Sequence, residues 1–166
     1  MFVAFTGTLG SGKTLSMTFW GRYFGAKLNC PVYANYQTSF ASPISDWKQL
    51  TQITNGIVLL DELHILMDSR KSVGKFTGGK QTARTHFMLQ TRKKNMLVLY
   101  TTQLFGQVDL RVRSITDYMI MCQKRGLTIK NTVVEMATMQ YGRTLVLNNV
   151  NRVFKWYDTY EIVRDI

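Results

Sequence analysis

The octet Gly7-Thr8-Leu9-Gly10-Ser11-Gly12-Lys13-Thr14 follows the apolar run Phe2-Val3-Ala4-Phe5 and leads into a stretch with helical spacing. It satisfies the P-loop pattern G-x-x-x-x-G-K-[ST] in full, and that pattern works only between a strand and a helix. Glycines let the backbone N–H groups turn inward as an anion nest at the helix N-terminus, where the dipole favours phosphate. Lys13 is then placed for the β- and γ-phosphates, and the Thr14 hydroxyl for one position on an octahedral Mg²⁺. A glycine loop that merely turns a corner needs neither Lys nor Thr at this offset. With the strand starting almost at residue 1, the expectation is that nothing precedes this first βα unit.

At 166 residues the chain is expected to form one domain with a sizeable core. Its formal charge of +11, from 21 Lys and Arg against 10 Asp and Glu, calls for a polyanionic partner, either nucleic acid or an anionic surface. Cys30 and Cys122 stand apart among apolar residues and read as buried reduced thiols; neither they nor the two histidines have metal-ligand spacing. No apolar run reaches the ~18 residues of a membrane span, and no secretory signal is present, so a soluble protein without an address label is expected.

Residues 13–27, KTLSMTFWGRYFGAK, predict a partly buried helix carrying Leu15, Met17, Phe19, Trp20, Tyr23 and Phe24, slackened by Gly21 and Gly25. Asn29-Cys30-Pro31 ends it, Val32-Tyr33-Ala34-Asn35 reads as a short buried strand, residues 36–45 as loop, and Asp46-Trp47 as a capped helical turn with Trp47 as a core or lid anchor. Ile57-Val58-Leu59-Leu60-Asp61-Glu62 is an apolar strand ending in two carboxylates, a Walker B pattern. A buried parallel strand delivers Asp61 at its carboxyl end, where ligands bind, to orient Mg²⁺. Glu62 is then placed to polarise the water that attacks the γ-phosphate. A helix is expected from Leu63 to Asp68, with His64 on its surface or satisfied in the core.

Between Asp68 and Asp109 there is no acidic residue, while Arg70, Lys71, Lys75, Lys80, Arg84, Arg92, Lys93 and Lys94 are basic and Gly74, Gly78 and Gly79 loosen the first half. This reads as a flexible loop tracking a phosphate backbone, with Lys71, Lys75 and Lys80 as its DNA contacts. A helix from Thr82 ends at Asn95, its basic last turn suited to the negative end of the dipole. Met96 to Gln103 is another buried strand that finishes in polar residues, and Gln103 is placed to bond the attacking water or the γ-phosphate.

The octet GTLGSGKT, the strand LLDE, the helix ending QTRKKN, the strand LVLYTTQ and then VDLRVRSITDY together resemble the FtsK/HerA superfamily of ring-forming ATPases. The resemblance is strongest to viral genome-packaging ATPases and the related Zot-like phage assembly proteins. It covers about residues 1–125, and the tail FKWYDTYEIV is similar to the Tyr-Asp-Thr that closes many such domains. It implies a RecA-like core, Walker carboxylates at Asp61 and Glu62, a sensor glutamine at Gln103, and an arginine finger given to a neighbouring subunit. Arg111 and Arg113 fit the finger by position, with Arg84 and Arg92 as rivals. The membrane span and further domain usual in Zot-like proteins, and the winged helix of FtsK-type translocases, are absent from these residues, which favours a packaging motor.

Residues 117–125 predict a strand, and 128–163 two or three antiparallel strands with a turn at Tyr141-Gly142. The fold expected is a three-layer α/β P-loop domain: a core over 1–125 with parallel strands near 2, 32, 57, 96 and 117, and antiparallel strands over about 126–166. The function expected is ATP hydrolysis coupled to moving double-stranded DNA into a viral capsid. Its implied partners are a homo-oligomeric ring, a pentamer or hexamer, and a capsid portal vertex, in the host cytoplasm or with the virion. The alternatives are a phage assembly or extrusion ATPase, a nucleotide kinase, and a DNA-binding protein with a vestigial P-loop.

Overall fold

The computed structural model describes residues 1–63, 87, 90, 91 and 93–158, with Trp47 by its backbone alone. The expectations for His64, Lys71, Lys75, Lys80, Arg84, Arg92 and the Trp47 side chain lie outside the described residues. β1 (Phe2–Thr6) enters the P-loop and α1 (Lys13–Leu28) leaves it. There follow β2 (Val32–Ala34), β3 (Ser42–Pro43), α2 (Trp47–Gln52), β4 (Gly56–Leu60) and β5 (Met96–Thr102). A 3₁₀ turn at Phe105–Gln107 leads into α3 (Leu110–Ile115), then β6 (Tyr118–Arg125), β7 (Thr128–Glu135), β8 (Gln140–Leu147) and a 3₁₀ helix at Val150–Lys155.

The strands form one sheet in the order β3-β2-β4-β5-β1-β6-β7-β8. From β3 through β6 the pairs are parallel, while β7 and β8 are antiparallel additions, as expected. Every residue of β1, β4 and β5 is buried, which explains their unbroken apolar runs: both faces of a parallel sheet are covered. On one face Val3, Phe5, Ile57, Leu59 and Leu99 meet Met17 of α1. On the other, Ala4, Val58, Leu60, Val98 and Tyr100 meet Leu50 of α2, Phe87 and Val112 of α3. The molecule is therefore a three-layer α/β P-loop fold.

α1 approaches the sheet most closely at its glycines, with Trp20 and Phe24 packed beside them. Gly21 and Gly25 are buried, and a β-carbon on them would sit 2.6 Å from Leu59 Cδ2 and 2.5 Å from Val32 Cγ2. The glycines read as loosening the helix instead let it approach β4 and β2. Leu15 and Met17 are buried as expected, Phe19, Trp20 and Phe24 half-buried, and Tyr23 exposed. Asn29 stops the helix in the left-handed conformation (φ 48°), its N–H returned to the Gly25 carbonyl.

The C-terminal third departs from expectation in its turns. Tyr141 and Gly142 lie inside β8, and the chain reverses at 136–139 instead, where Met139 takes φ 55° and Thr138 Oγ1 donates to Glu135 Oε2 at 2.8 Å. A left-handed methionine carries no sequence signature, whereas a Gly inside a strand imitates one. Beyond β8 there is no third strand among the described residues. Val150 and Val153 close a small core with Leu15, Ile129 and Leu147, and Thr38 bridges Tyr157. Trp156 takes the Arg22 guanidinium over its ring at 4.5 Å, and Tyr157 packs edge-on to Tyr36, so both are structural. The two-residue β3 falls in the segment read as loop; Pro43 is tolerated there because β3 is the sheet edge.

Candidate active site

β1, β4 and β5 all end at the same edge of the sheet, and the sequence places polar residues there. Gly7 and Gly12 turn the loop at φ 147° and 82°, with Gly10 at 75° between them. Gly7 admits no side chain: a β-carbon would lie 2.7 Å from the Cys122 carbonyl oxygen and 2.5 Å from Ser11 Oγ. Thr8 accepts at its carbonyl both the Ser11 N–H, at 3.1 Å, and Lys13 Nζ, at 3.0 Å, so the lysine lies over the loop. Leu9 is exposed at the tip. Ser11 Oγ is buried with no hydrogen-bond partner among the described residues, an orphan donor inside an anion nest.

Across the edge, Asp61 directly follows β4 and is buried. Its Oδ1 accepts from Thr14 Oγ1 at 2.9 Å and from Thr101 Oγ1 at 2.5 Å. Thr101 Oγ1 in turn accepts the Glu62 N–H at 2.8 Å, and Asn35 clasps the Asp61 backbone, its Oδ1 taking the N–H at 2.8 Å and its Nδ2 donating to the carbonyl at 3.2 Å. Glu62 is half-buried and held left-handed at φ 50°, a conformation that costs on the order of 1–3 kcal/mol and persists where surrounding structure imposes it. Adjacent Thr14 and Asp61 oxygens at the mouth of a glycine nest are hard donors of the kind that fit Mg²⁺ beside a phosphate.

Burial raises the Asp61 pKa, the hydrogen bonds from Thr101 and Thr14 oppose that, and the neighbouring Glu62 charge adds to it. A raised carboxyl pKa contributes stability below the unfolded-state value and loses it as pH rises through the folded-state value, so ionised Asp61 is a burden at neutral pH. Asp61→Asn keeps the acceptor Oδ1 and removes the charge. Its Tm should exceed that of the wild type at neutral pH, with the gap closing in acid as the native carboxyl is neutralised. Thermal melts across pH check this; a gap independent of pH would assign the difference to packing.

Gln103 is exposed one residue past Thr102, which registers with Thr6 just before Gly7, so the glutamine stands beside the loop. Arg111 and Arg113 lie on α3 and make contacts of their own. Arg111 is exposed on α3 and forks onto Asp109, Nε at 3.0 Å and Nη2 at 2.8 Å, and those hydrogen bonds hold the Asp109 carboxyl below its ordinary pKa. Arg113 Nε donates to the Val108 carbonyl at 3.0 Å, and its side chain lines a cleft of about 600 Å³ with Met1, Asp117 and Glu135, at the amino edge of the sheet. Asn35 and Thr101 escaped the sequence reading. Each follows the same grammar as Asp61, a polar residue at the carboxyl end of an apolar strand, and that signal was available in Val32-Tyr33-Ala34-Asn35.

Residues 34–160 match the family described as Zonular occludens toxin (Zot); the match begins after the P-loop, which stands on its own geometry. No curated protein matches. Among solved structures, the N-terminal domain of zonular occludens toxin from Neisseria meningitidis is similar at 17% identity and a TM-score of 0.60, over 95% of this chain and 98% of that one. The genome packaging NTPase B204 from Sulfolobus turreted icosahedral virus 2, solved with ATP-gammaS, is similar at 10% identity and a TM-score of 0.62, over 85% and 95%. The flagellar accessory protein FlaH from Methanocaldococcus jannaschii is similar at 11% identity and a TM-score of 0.54, over 89% and 84%. At these identities the likeness is one of fold.

Proposed function

The chain belongs to the Zot family, and from that premise we propose that it hydrolyses ATP at the P-loop to drive double-stranded DNA into a viral capsid. The observation that carries the chemistry is the Thr14–Asp61–Thr101–Glu62 chain of hydrogen bonds facing the glycine nest. The loop residues 7–14 hold the phosphates, Lys13 neutralises their β and γ charge, and Thr14 and Asp61 hold Mg²⁺. Bound there, the metal would supply charge neutralisation to the phosphates. Glu62 takes a proton from the attacking water, and Gln103 orients that water or the γ-phosphate. A neighbouring copy lends Arg111 or Arg113, and a ring of five or six copies docks on a portal vertex. Phosphate release with and without DNA tests this: hydrolysis should require Mg²⁺ and rise with DNA, and its absence under both conditions removes the ATPase.

Membership of the Zot family favours a second reading of the same chemistry, an ATPase for phage assembly or extrusion. Among the described residues no helix is long and apolar enough to cross a membrane.

DNA binding should be independent of sequence and steeply salt-dependent, since each phosphate neutralised adds about −0.9 to the slope of log K against log salt. Replacing Lys71, Lys75 and Lys80 together by Ala should flatten that slope by about two to three. Titrations on duplex DNA at several salt concentrations measure it, and an unchanged slope in the triple variant moves the DNA track to other loops.

A further inference from the structure

We propose that Lys124, on β6, is a second cation of the nucleotide site, engaging the α-phosphate and ribose end of the bound nucleotide; this rests on the ATPase reading above. The strand order supplies the direction. Thr14, Asp61 and Gln103 place the γ end of the nucleotide on the β5 and β4 side of β1. The other neighbour of β1 is β6, so a nucleotide lying along the loop runs from Asp61 across Gly12 toward β6.

β6 is built to meet it. Thr6, the last residue of β1, registers with Met121, yet β6 continues to Arg125, four residues or about 13 Å farther. The β6–β7 hairpin therefore stands beyond the sheet edge as a wall beside the loop. Ile120 and Cys122 lie in the core on the α1 side, so by alternation Lys124 is on that same face, at the N-terminal end of α1. Its contact with the loop is direct: a β-carbon on Gly12 would lie 3.5 Å from Lys124 Cβ and 2.5 Å from Cδ1 of Ile129, its cross-strand partner. Ile129 is fully buried against Leu15 and fixes the hairpin there. Lys124 is exposed, with no hydrogen bond or ion pair to any described residue.

Among the described residues no anion balances this cation beside the loop. Beside Gly12 it lies at the N-terminal end of α1, where the helix dipole is positive. A polyphosphate in the nest gives the cation an anionic partner there, so the charge serves the liganded state.

The test measures equilibrium binding of ATP, ADP and inorganic pyrophosphate to the full chain, with Tm before and after ligand. Lys124→Gln should weaken ATP and ADP about tenfold, leave pyrophosphate, which fills only the β and γ places, unchanged, and raise the Tm of the free protein. Lys124→Arg should recover most of the nucleotide affinity. Lys13→Ala, by contrast, should lose pyrophosphate as well. ATP binding by Lys124→Gln equal to wild type, or an equal loss of pyrophosphate, overturns the assignment while leaving the ATPase reading intact; failure of the wild type to bind ATP overturns both.

Discussion

Lys13→Ala is expected to weaken ATP binding about 10- to 100-fold, the loss of a charge-assisted bond to phosphate, whereas Glu62→Gln keeps binding and loses turnover by about 10²–10⁴-fold. The two variants separate the nest from the chemistry. Lys13 lies over the loop, bonded to the Thr8 carbonyl, so its removal leaves the backbone cradle and takes away a point charge. Glu62 is a different case, because its backbone is held left-handed and its N–H is tied to Thr101, which is itself tied to Asp61. Gln is nearly isosteric and preserves that backbone, but it cannot accept the proton of the attacking water. Equilibrium binding and single-turnover hydrolysis measured on both proteins give the result. Normal hydrolysis by Glu62→Gln would strip that residue of its role as base.

The parts of the fold legible in the sequence are those that need unusual chemistry or unbroken apolar runs. The P-loop was readable because Gly7, Gly10 and Gly12 adopt positive φ, a demand few other residues meet. β1, β4 and β5 were readable because burial on both faces leaves no room for polar residues until the strand ends. The same logic made Asp61 and Gln103 visible. What escaped was set by tertiary context. The glycines of α1 look like helix breakers in sequence and become contact points only once Leu59 and Val32 are in place. The β7–β8 turn has no turn residues because a side-chain bond from Thr138 to Glu135 closes it. Lys124 is invisible in sequence as anything but one cation in a basic chain; its meaning comes from the four residues by which β6 outruns β1.

A shared site makes the strongest demand on assembly, and the placement of the two arginines sets its terms. Arg113 lines the cleft at the amino edge of the sheet, while the P-loop opens at the carboxyl edge, so a γ-phosphate in the same chain is beyond it. Arg111 is held by its fork onto Asp109 with 58% of its side-chain surface accessible, so a neighbouring copy could reach it. A finger supplied in trans is worth a factor on the order of 10³–10⁵ in turnover. Specific activity should therefore rise with protein concentration or on a DNA scaffold, and Arg111→Ala or Arg113→Ala should be nearly inactive while ATP still binds. Mixing the inactive arginine variant with Lys13→Ala then discriminates. In a mixed assembly some interfaces join an intact P-loop from one protein to an intact arginine from the other, so part of the activity returns. A nucleotide kinase or any self-contained site predicts the reverse: a dead mixture, and full activity in dilute monomer. That pair of results would end the shared-site reading, because no interface would then contribute to the chemistry proposed for Thr14, Asp61 and Glu62 within one chain.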